Sequence, residues 1–547
     1  MKKNKLSKKI TIVLLVGTIF LSFSFKSKFF EVAKQIEIYN TLFKELNMYY
    51  IDEINPAELT NKAIKNTLKD LDPYTNFYNE QDVEDARIRR AGEYGGIGVS
   101  VHYLKEGIQI REIYKGFSAD KAGLKAGDLI ISIDGQSIKN MERDQLSMLL
   151  KGTPNSKFSM QIERQQKVIQ KEVLRDKIII NPVPFAEMIN EETGYIILTR
   201  FNDKASSEVK KAFRKLKKEG MKKLVFDLRS NPGGSLRESI NISNFFLPKG
   251  KTIVTTKAKI KKWSNTYKTT NAPLDLEIPI VVLVNGSSAS ASEIVSGSLQ
   301  DYDRAVIMGK RSFGKGLVQR YRELTYGTQL KLTISKYYTP SGRCIQAIDY
   351  SSRNEDGSVG KIADSLRTEF TTRGGRKVYD GGGVKPDVEI EIKEYPSIII
   401  SLLRDHHIFN YANKFAYKHA DIADPLTFEI SDEIYADFVS YLKEQEYTYE
   451  THTEQAFELL EETAEGEEYL DAIKADIEAL KQVYFTHKEN DIEKYKTEIK
   501  EFLLDEIILR YYYRKGQLQV ALENDLATQK AISLLQNETE YKAIIQP

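Results

Sequence analysis

The stretch PIVVLVNGSSASASEI, residues 279–294, decides the fold, because an apolar strand-like run ends there in a glycine–serine turn and a helical pattern follows. A short apolar run bounded by turn residues is typical of a buried strand. The same succession recurs around it, and the other strand-like segments are YIILTRF (195–201), LVFDLRS (224–230), RAVIMG (304–309) and TQLKLTISKYY (328–338). Helical segments, such as 204–220, lie between them. This alternation predicts an α/β layered core over residues 178–396.

Three loops that follow apolar strands carry the polar residues of this core. They are DLRSNPGGS (227–235), VNGSSASASEI (284–294) and GKRSFGKGLVQ (309–319). Open α/β sheets place their sites at the carboxyl ends of the strands, where such loops gather. We therefore expect a functional site at that edge of the sheet.

A serine nucleophile in these loops needs a base to accept its proton and N–H donors to hold an oxyanion. The usual base is histidine, but residues 178–396 contain none, since the six histidines lie at 102, 406, 407, 419, 452 and 487. A Ser-His-Asp triad within this core is therefore excluded. A lysine can serve instead if burial lowers its pKa toward about 7–8. Lys315, flanked by Gly314 and Gly316 in an otherwise apolar stretch, is the candidate base.

Residues 91–177 have a different character. Apolar residues alternate in IGVSVHYL, GIQIREIY and DLIISIDG, which predicts the strands of a small β-rich module. The glycines of GGIGV (95–99) allow consecutive N–H groups to point into one cavity, which suits a terminal carboxylate. The strand that follows offers an open edge to an extended peptide.

Two segments of this module, GGIGVSV (95–101) and SADKAGLKAGDLIISIDG (118–135), together resemble a PDZ domain. The resemblance implies binding of protein C-terminal tails. The residues expected to contact the tail are Gly95, Gly96, Ile97, Gly98 and Val99. The alternative is a glycine-rich hairpin turn without a ligand.

The core loops resemble a family when they are taken together with this module. VLVNGSSASASEI (282–294), GKRSFGKGLVQ (309–319) and YDGGGVKPDVEI (379–390) are similar to the C-terminal processing peptidases, also called tail-specific proteases. The resemblance covers roughly residues 30–395. It implies a serine peptidase in which Ser290 is the nucleophile, Lys315 is the base, and Gln319 orients the lysine.

The remaining site residues follow from that chemistry and that family. The N–H groups of Ala291 and of Gly233 or Gly234 are the expected oxyanion donors, because a proline followed by two glycines lets the backbone approach closely. Asp301 also matches a family position, and it either supports the site or pairs with Arg304. The mechanism requires no metal, no nucleotide and no other cofactor.

Composition limits the other functional classes. A chain of 547 residues is too long for one ordinary domain, and its 41% hydrophobic and 29% charged residues are normal for a folded, mostly water-facing protein. The formal net charge is +2 and the lysines are scattered, so we expect no nucleic-acid partner. Cys344 is the single cysteine, which excludes an internal disulfide and a multi-cysteine metal site.

The segment 1–28 predicts export. Lysines at positions 2, 3, 5, 8 and 9 precede the apolar run ITIVLLVGTIFLSFSF. No small-x-small cleavage pattern follows, so we expect an uncleaved signal anchor; a cleaved signal peptide and a buried core helix are the alternatives. Positive charge before the run stays cytoplasmic, which places the rest of the chain on the periplasmic side of the inner membrane.

The flanking regions are predicted to be helical. Residues 29–90 form an N-terminal helical region, in which helical spacing over about 29–71, broken around Asn55 and Pro56, indicates two helices. Residues 397–547 have helical periodicity and form an extension of unknown role. Dimerisation, adaptor binding and cage-building are all possible roles, so the protein could form a homo-oligomer. The predicted fold class is α/β (α+β) multidomain. It comprises a crotonase-like peptidase core with an inserted PDZ module, N-terminal helices and a helical C-terminal extension.

Three other functions compete with this interpretation. GKRSFGK (309–315) satisfies the phosphate-loop pattern, but Gly316 replaces the hydroxyl residue that would hold magnesium, and LVQRYREL after it favours a strand. An acyl-CoA-converting enzyme would share the core, but its acidic residues and adenine pocket have no counterpart. A non-catalytic PDZ scaffold of the envelope would not need the complete set of peptidase motifs. We therefore predict an envelope serine endopeptidase that acts on proteins with apolar C-terminal tails.

Overall fold

The computed structural model of the protein describes residues 29–350, 353, 359–391 and 394–546, and the chain divides into two units, residues 1–77 and 78–547. The apolar run predicted to direct export, within residues 1–28, lies outside the described residues. Across the part of the chain that is described, no helix has both the length and the apolar character needed to cross a bilayer.

The first unit contains the two predicted helices, α1 (29–49) and α2 (Pro56–Lys69). They are separated near Asn55 because its side chain accepts hydrogen bonds from the N–H groups of Ala57 and Glu58, and α2 begins at this cap. β1 (Asn76–Tyr78) and α3 (Glu80–Ala91) follow along the chain.

A β-rich module follows α3. Its elements are β2 (Glu93–Gly96), β3 (Val99–Tyr103), β4 (Ile108–Ile113), α4 (Ser118–Lys121), β5 (Leu129–Ile133), β6 (Gln136–Ser137), α5 (Arg143–Leu150), β7 (Lys157–Arg164), β8 (Lys167–Leu174) and β9 (Asp176–Ile179). An antiparallel sheet has the order β3-β4-β5-β7-β8, with β3 at its edge, while β2 pairs separately with β9. Ile108, Ile130 and Leu146 lie in the core of this module.

The α/β core contains two large sheets and a small one formed by the β19–β20 pair. Its elements are β10 (Phe185–Met188), β11 (Thr193–Ile197), α6 (Ala205–Lys218), β12 (Lys223–Asp227), α7 (Leu236–Asn244), β13 (Thr252–Ala258), β14 (Asn265–Lys268), β15 (Ile280–Val284), α8 (Ala291–Asp301), β16 (Val306–Gly309), β17 (Leu317–Glu323), β18 (Gln329–Tyr338), β19 (Glu369–Thr371), β20 (Lys377–Tyr379) and β21 (Val388–Glu389). The central sheet has the order β10-β11-β12-β15-β16-β21 and is parallel except for β10. β13, β14, β17 and β18 pair antiparallel in the second sheet. This arrangement confirms the predicted α/β class.

The C-terminal region is helical, as predicted. Its helices are α9 (Ser397–Arg404), α10 (His407–Lys418), α11 (Asp432–Glu444), α12 (His452–Gly466), α13 (Leu470–Lys488), α14 (Asp491–Lys494), α15 (Lys496–Asn524), α16 (Leu526–Gln536) and α17 (Glu538–Ile545). α15 is interrupted at Tyr513, whose φ is 57°. Ile399, Phe438 and Leu503 belong to a separate apolar core in this region.

Helices cover both faces of the central sheet. On one face, α6, α7 and α8 pack through an apolar cluster that includes Val209, Ile242 and Val295. Alternate strand residues face the other side, where α16 and α17 contribute Leu534 and Tyr541. Residues 526–545 are therefore a layer of the core rather than an extension. A parallel sheet that is apolar on both faces needs this second cover.

Two partly buried ion pairs of Arg229 attach α16 to the end of β12. Arg229 lies 2.8 Å from Asp227 and 2.9 Å from Asp525, the residue that caps α16. Tyr195 donates its hydroxyl to Asp227 at 2.6 Å. Asp227 and Arg229 are thus structural groups, the more common role for such a pair.

The helical region also holds the β-rich module. Arg514 pairs with Glu112 at 2.7 Å, and the Tyr513 hydroxyl donates to Asp120 at 2.7 Å. Tyr417 donates to the carbonyl of Ala126 at 3.3 Å. These polar contacts connect α10 and α15 to the side of the module that carries β4 and α4.

The packing of α16 generates a stability prediction. Leu534 is 4% exposed and belongs to the cluster beneath the sheet, whereas Leu526 on the same helix is 53% exposed. We expect Leu534→Ala to reduce the free energy of unfolding by about 2–4 kcal/mol because it leaves a cavity. Leu526→Ala should change it by less than about 0.5 kcal/mol. Calorimetric melting of the two variants measures the difference, and equal melting temperatures would show that α16 does not cover the sheet.

Candidate active site

Three loops meet at one edge of the central sheet and form a cleft. β12, β15 and β16 run parallel, so their carboxyl ends reach the same edge. The cleft has a volume of about 480 Å³. The predicted site residues that line it are Ser290, Lys315, Gln319, Ala291, Gly233 and Gly234. The structure therefore brings residues from three separate loops of the sequence into one cleft.

Ser290 stands immediately before α8, where its backbone has an unusual conformation. Its φ is 55° and its ψ is −110°, a region that non-glycine residues seldom adopt. Its carbonyl accepts hydrogen bonds from the Ile294 N–H at 2.9 Å and from the Tyr337 hydroxyl at 3.2 Å. Strain of this kind persists only where the surrounding structure enforces it, and it clusters at functional sites.

The fully buried carboxylate of Glu293 connects this serine to the lysine loop. One oxygen accepts from the N–H groups of Ser290 at 2.7 Å and Lys315 at 2.9 Å. The other accepts from the Ser312 hydroxyl and the Gly314 N–H, both at 2.6 Å. Burial raises the pKa of Glu293, and these four hydrogen bonds act against that rise. Glu293 thus fixes the backbones of Ser290 and Lys315 relative to each other.

The lysine loop lies close to the following segment of the core. A Cβ atom at Gly314, whose φ is 86°, would stand 2.4 Å from the Cβ of Ala347. The Gly316 N–H donates to Gln346 at 2.7 Å, and β17 begins directly afterwards. Since a strand rather than a helix follows this loop, the phosphate-loop alternative is wrong.

Gln319 lies on β17 and lines the same cleft as Lys315. Its side-chain amide nitrogen donates to the Thr333 hydroxyl at 3.2 Å. The amide plane is therefore held from β18, and the amide oxygen is the atom left to accept a hydrogen bond.

Gly233 and Gly234 differ in the hydrogen bonding of their N–H groups. The Gly233 N–H donates to the Asn231 side chain at 2.9 Å. The N–H groups of Gly234 and Ala291 donate to no acceptor among the described residues. A Cβ atom at Gly233 would lie 2.9 Å from the Ala291 nitrogen and from the Ser290 Cβ, so only glycine permits this approach.

Asp301 does not line the cleft, and its expected pairing with Arg304 is wrong. Its carboxylate is fully buried and pairs with Arg343 at 2.9 Å, and it also accepts from the Ser341 N–H at 2.9 Å. Arg304 instead donates to backbone carbonyls, including that of Ile278 at 2.8 Å. Asp301 therefore stabilises the end of α8 and the segment after β18.

The predicted tail-binding residues lie outside the cleft and fall into two groups. Gly95 and Gly96 pair with Lys177 and Asp176 in the β2–β9 ladder, so they do not form the open glycine nest that the sequence suggested. Ile97, Gly98 and Val99 lead into β3 at the sheet edge.

Glu293 is the residue that sequence reasoning missed. A signal for it was present, since Ser290 and Glu293 have the S-x-x-E spacing of a capping box before an apolar run. That spacing predicts the contact to Ser290. It does not predict the bonds to the lysine loop, which follows about twenty residues later.

Three family descriptions match the chain. "PDZ domain" matches residues 86–163, and "Peptidase family S41" matches residues 192–351. "Probable PDZ-protease, C-terminal helical domain" matches residues 398–535, which corrects the expectation that the region after 397 lies outside the family likeness. The fold and these matches define a PDZ-containing member of the S41 peptidase class.

The chain is also similar to individual proteins. The structure of the photosystem II D1 C-terminal processing protease has 26% sequence identity and a TM-score of 0.36, over 64% of this chain and 91% of its own. A probable CtpA-like serine protease of Staphylococcus aureus (strain MRSA252) is 32% identical, and the match spans 65% of this chain and 65% of that relative. A carboxy-terminal-processing protease of Bartonella bacilliformis is 34% identical over 58% of this chain and 73% of its own length. The chain belongs to the carboxy-terminal-processing proteases.

The Glu293 contacts generate a prediction about the lysine loop. Glu293→Gln places an NH₂ group against backbone N–H donors and removes the negative charge, and each lost charge-assisted bond is worth about 1.5–3 kcal/mol. We expect faster amide hydrogen exchange across residues 309–319, measured by mass spectrometry on the full chain.

The matched control is Glu238→Gln. Glu238 is also buried, but it accepts from the Ser206 N–H at 2.7 Å and from Asn241 at 3.2 Å, neither of which belongs to the lysine loop. Exchange across 309–319 should then stay as in the unsubstituted protein. Equal exchange in both variants would contradict the role of Glu293.

Proposed function

We propose that this protein is a serine endopeptidase of the cell envelope that binds protein C-terminal tails through its PDZ domain and cleaves with Ser290 and Lys315. The observation that carries the proposal is the buried Glu293 carboxylate, which ties Ser290 and Lys315 to one cleft. Family membership supports peptide hydrolysis. The lysine-rich start and apolar run of residues 1–28 support the envelope location.

The cleavage step follows from these positions. The Ser290 hydroxyl attacks the substrate carbonyl while neutral Lys315 accepts its proton, and Lys315 then delivers that proton to the leaving amine. Water hydrolyses the resulting acyl-enzyme, with Lys315 again as the base. A lysine acts as a base only in its neutral form, which burial and neighbouring positive charges favour.

The oxyanion of the tetrahedral intermediate would be held by the N–H groups of Ala291 and Gly234. Both groups belong to residues that line the cleft, and neither donates to another described residue. The Gly233 N–H is engaged by Asn231, which favours Gly234 as the second donor. Gln319 would orient Lys315 through its amide oxygen, because Thr333 accepts from its nitrogen.

Single substitutions test the two catalytic roles. We expect Ser290→Ala and Lys315→Ala each to reduce kcat on an unfolded, apolar-tailed protein by at least about a thousandfold, since removing one member of a catalytic unit disables the whole unit. Ser287→Ala and Lys310→Ala are the controls, because both residues are exposed in the same loops. Full activity in the Ser290 or Lys315 variant would refute this mechanism.

Tail binding would occur at the edge of β3. The N–H groups of Ile97 and Gly98 donate to no acceptor among the described residues, whereas their carbonyls accept from Ala119 and Tyr114. Two successive free N–H groups beside an open strand edge suit a terminal carboxylate followed by an added peptide strand.

Peptide binding to the full-length Ser290→Ala protein tests this site. A fluorescent peptide with an apolar tail and a free C-terminal carboxylate should bind at least about tenfold more tightly than its C-terminal amide, because the amide loses charge-assisted hydrogen bonds. Fluorescence anisotropy measures both affinities. Equal affinities would place tail recognition elsewhere or exclude it.

A further inference from the structure

The walls of the catalytic cleft carry charge of one sign. Besides Lys315, the cationic residues among the lining are Arg89, Arg90, Arg200 and Lys331. No aspartate or glutamate belongs to the described lining. The chain as a whole is almost neutral, with a formal net charge of +2, so this concentration of positive charge is local.

The four flanking cations come from three separate elements. Arg89 and Arg90 lie in the last turn of α3, Arg200 follows β11, and Lys331 lies in β18. They line one cleft only because the fold brings α3, the segment after β11 and the second sheet together. The cluster is thus a product of the tertiary fold and not of a basic run in the sequence.

Three carboxylates on or shortly after α3 are paired with other cations. On α3, Glu84 pairs with Arg87 at 2.6 Å and Asp85 pairs with Lys151 of the PDZ domain at 2.7 Å. Glu93 pairs with two lysines, at 3.0 and 2.5 Å.

The four cleft cations, by contrast, form no ion pair with any carboxylate in the described part of the chain. Arg200 is half-buried, and burial, followed by the charge of Arg89, lowers its pKa. The free protein therefore retains the electrostatic cost of holding these cations together without a carboxylate. An anionic group on a bound molecule would offset that cost.

We propose that the cleft selects polypeptide segments that carry carboxylates close to the scissile bond, with Arg89, Arg90, Arg200 and Lys331 as the specificity-determining residues. The proposal rests on the proposed peptidase function and names its substrate class. Clefts lined by one sign of charge focus the field between their low-dielectric walls and raise the local concentration of the opposite charge. The tail site on β3 is separate, so tail sequence and cleft sequence are two independent requirements on a substrate.

Matched peptides test the selection. Each pair shares one apolar tail and differs by Glu or Gln within three residues of the bond that mass spectrometry identifies as cleaved. At about 0.05 M salt we expect kcat/KM to be at least about fivefold higher for the Glu peptide, and this ratio should fall toward one near 1 M salt, where the Debye length is about 3 Å. A ratio near one at low salt would overturn the proposal.

Substitutions assign the effect to its residues. The double variant Arg89→Gln, Arg90→Gln and the single variant Arg200→Gln should each lower the Glu-to-Gln ratio, and Arg200→Lys should largely restore it. Arg87→Gln is the matched control, because Arg87 lies on α3 but pairs with Glu84 and does not line the cleft. It should keep the ratio of the unsubstituted protein. A ratio unaffected by the cleft variants would also overturn the proposal.

A further peptide distinguishes two sources of the carboxylate. It carries neutral side chains, has its cleaved bond near the C-terminus, and is compared as free acid and amide. Faster cleavage of the acid assigns the preference to the terminal carboxylate, whereas a preference confined to Glu peptides assigns it to acidic side chains. If no peptide is cleaved in a Ser290-dependent way, the peptidase function itself fails; if cleavage occurs without charge preference, only this inference fails.

Discussion

The Glu293 carboxylate is the interaction on which the cleft around Ser290 and Lys315 depends. A charge removed completely from water is costly unless donors satisfy it, and here donors come from both sides of the cleft, from Ser290 and from the loop that ends at Lys315. The same requirement makes the geometry rigid, because any separation of the two loops would leave the buried oxygens without partners. The positive φ of Ser290 is maintained within this frame.

Rigid support for this frame comes from the layers around the central sheet. α8 lies on one face and directs Ser290 into the cleft, while α16 and α17 cover the opposite face. The ion pairs of Arg229 with Asp227 and Asp525 join the end of β12 to α16, close to the loop that carries the two glycines. The C-terminal helices thus support the cleft edge of the sheet from beneath, and through α15 they also hold the PDZ domain.

α3 relates the PDZ domain to the cleft. One side of this helix bears Asp85, which pairs with Lys151 of the PDZ domain, and its last turn bears Arg89 and Arg90, which line the cleft. A movement of the domain that displaced α3 would change the charge along the cleft. A tail docked on the PDZ domain and a segment bound in the cleft would then both act on this one short helix.

Local pattern was sufficient for much of this protein. Apolar runs ending in glycine-rich turns predicted the α/β core, the absence of histidine from residues 178–396 pointed to Lys315 as the base, and family motifs singled out Ser290 and Gln319. Only the tertiary structure decided that Glu293 joins the two loops, that Asp301 pairs with Arg343, that Gly233 is already engaged, and that the last helices belong to the core. The reason is physical: strand and helix patterns depend on neighbours within a few residues, whereas the partners of a buried polar group are set by which distant segments the fold brings within hydrogen-bonding distance.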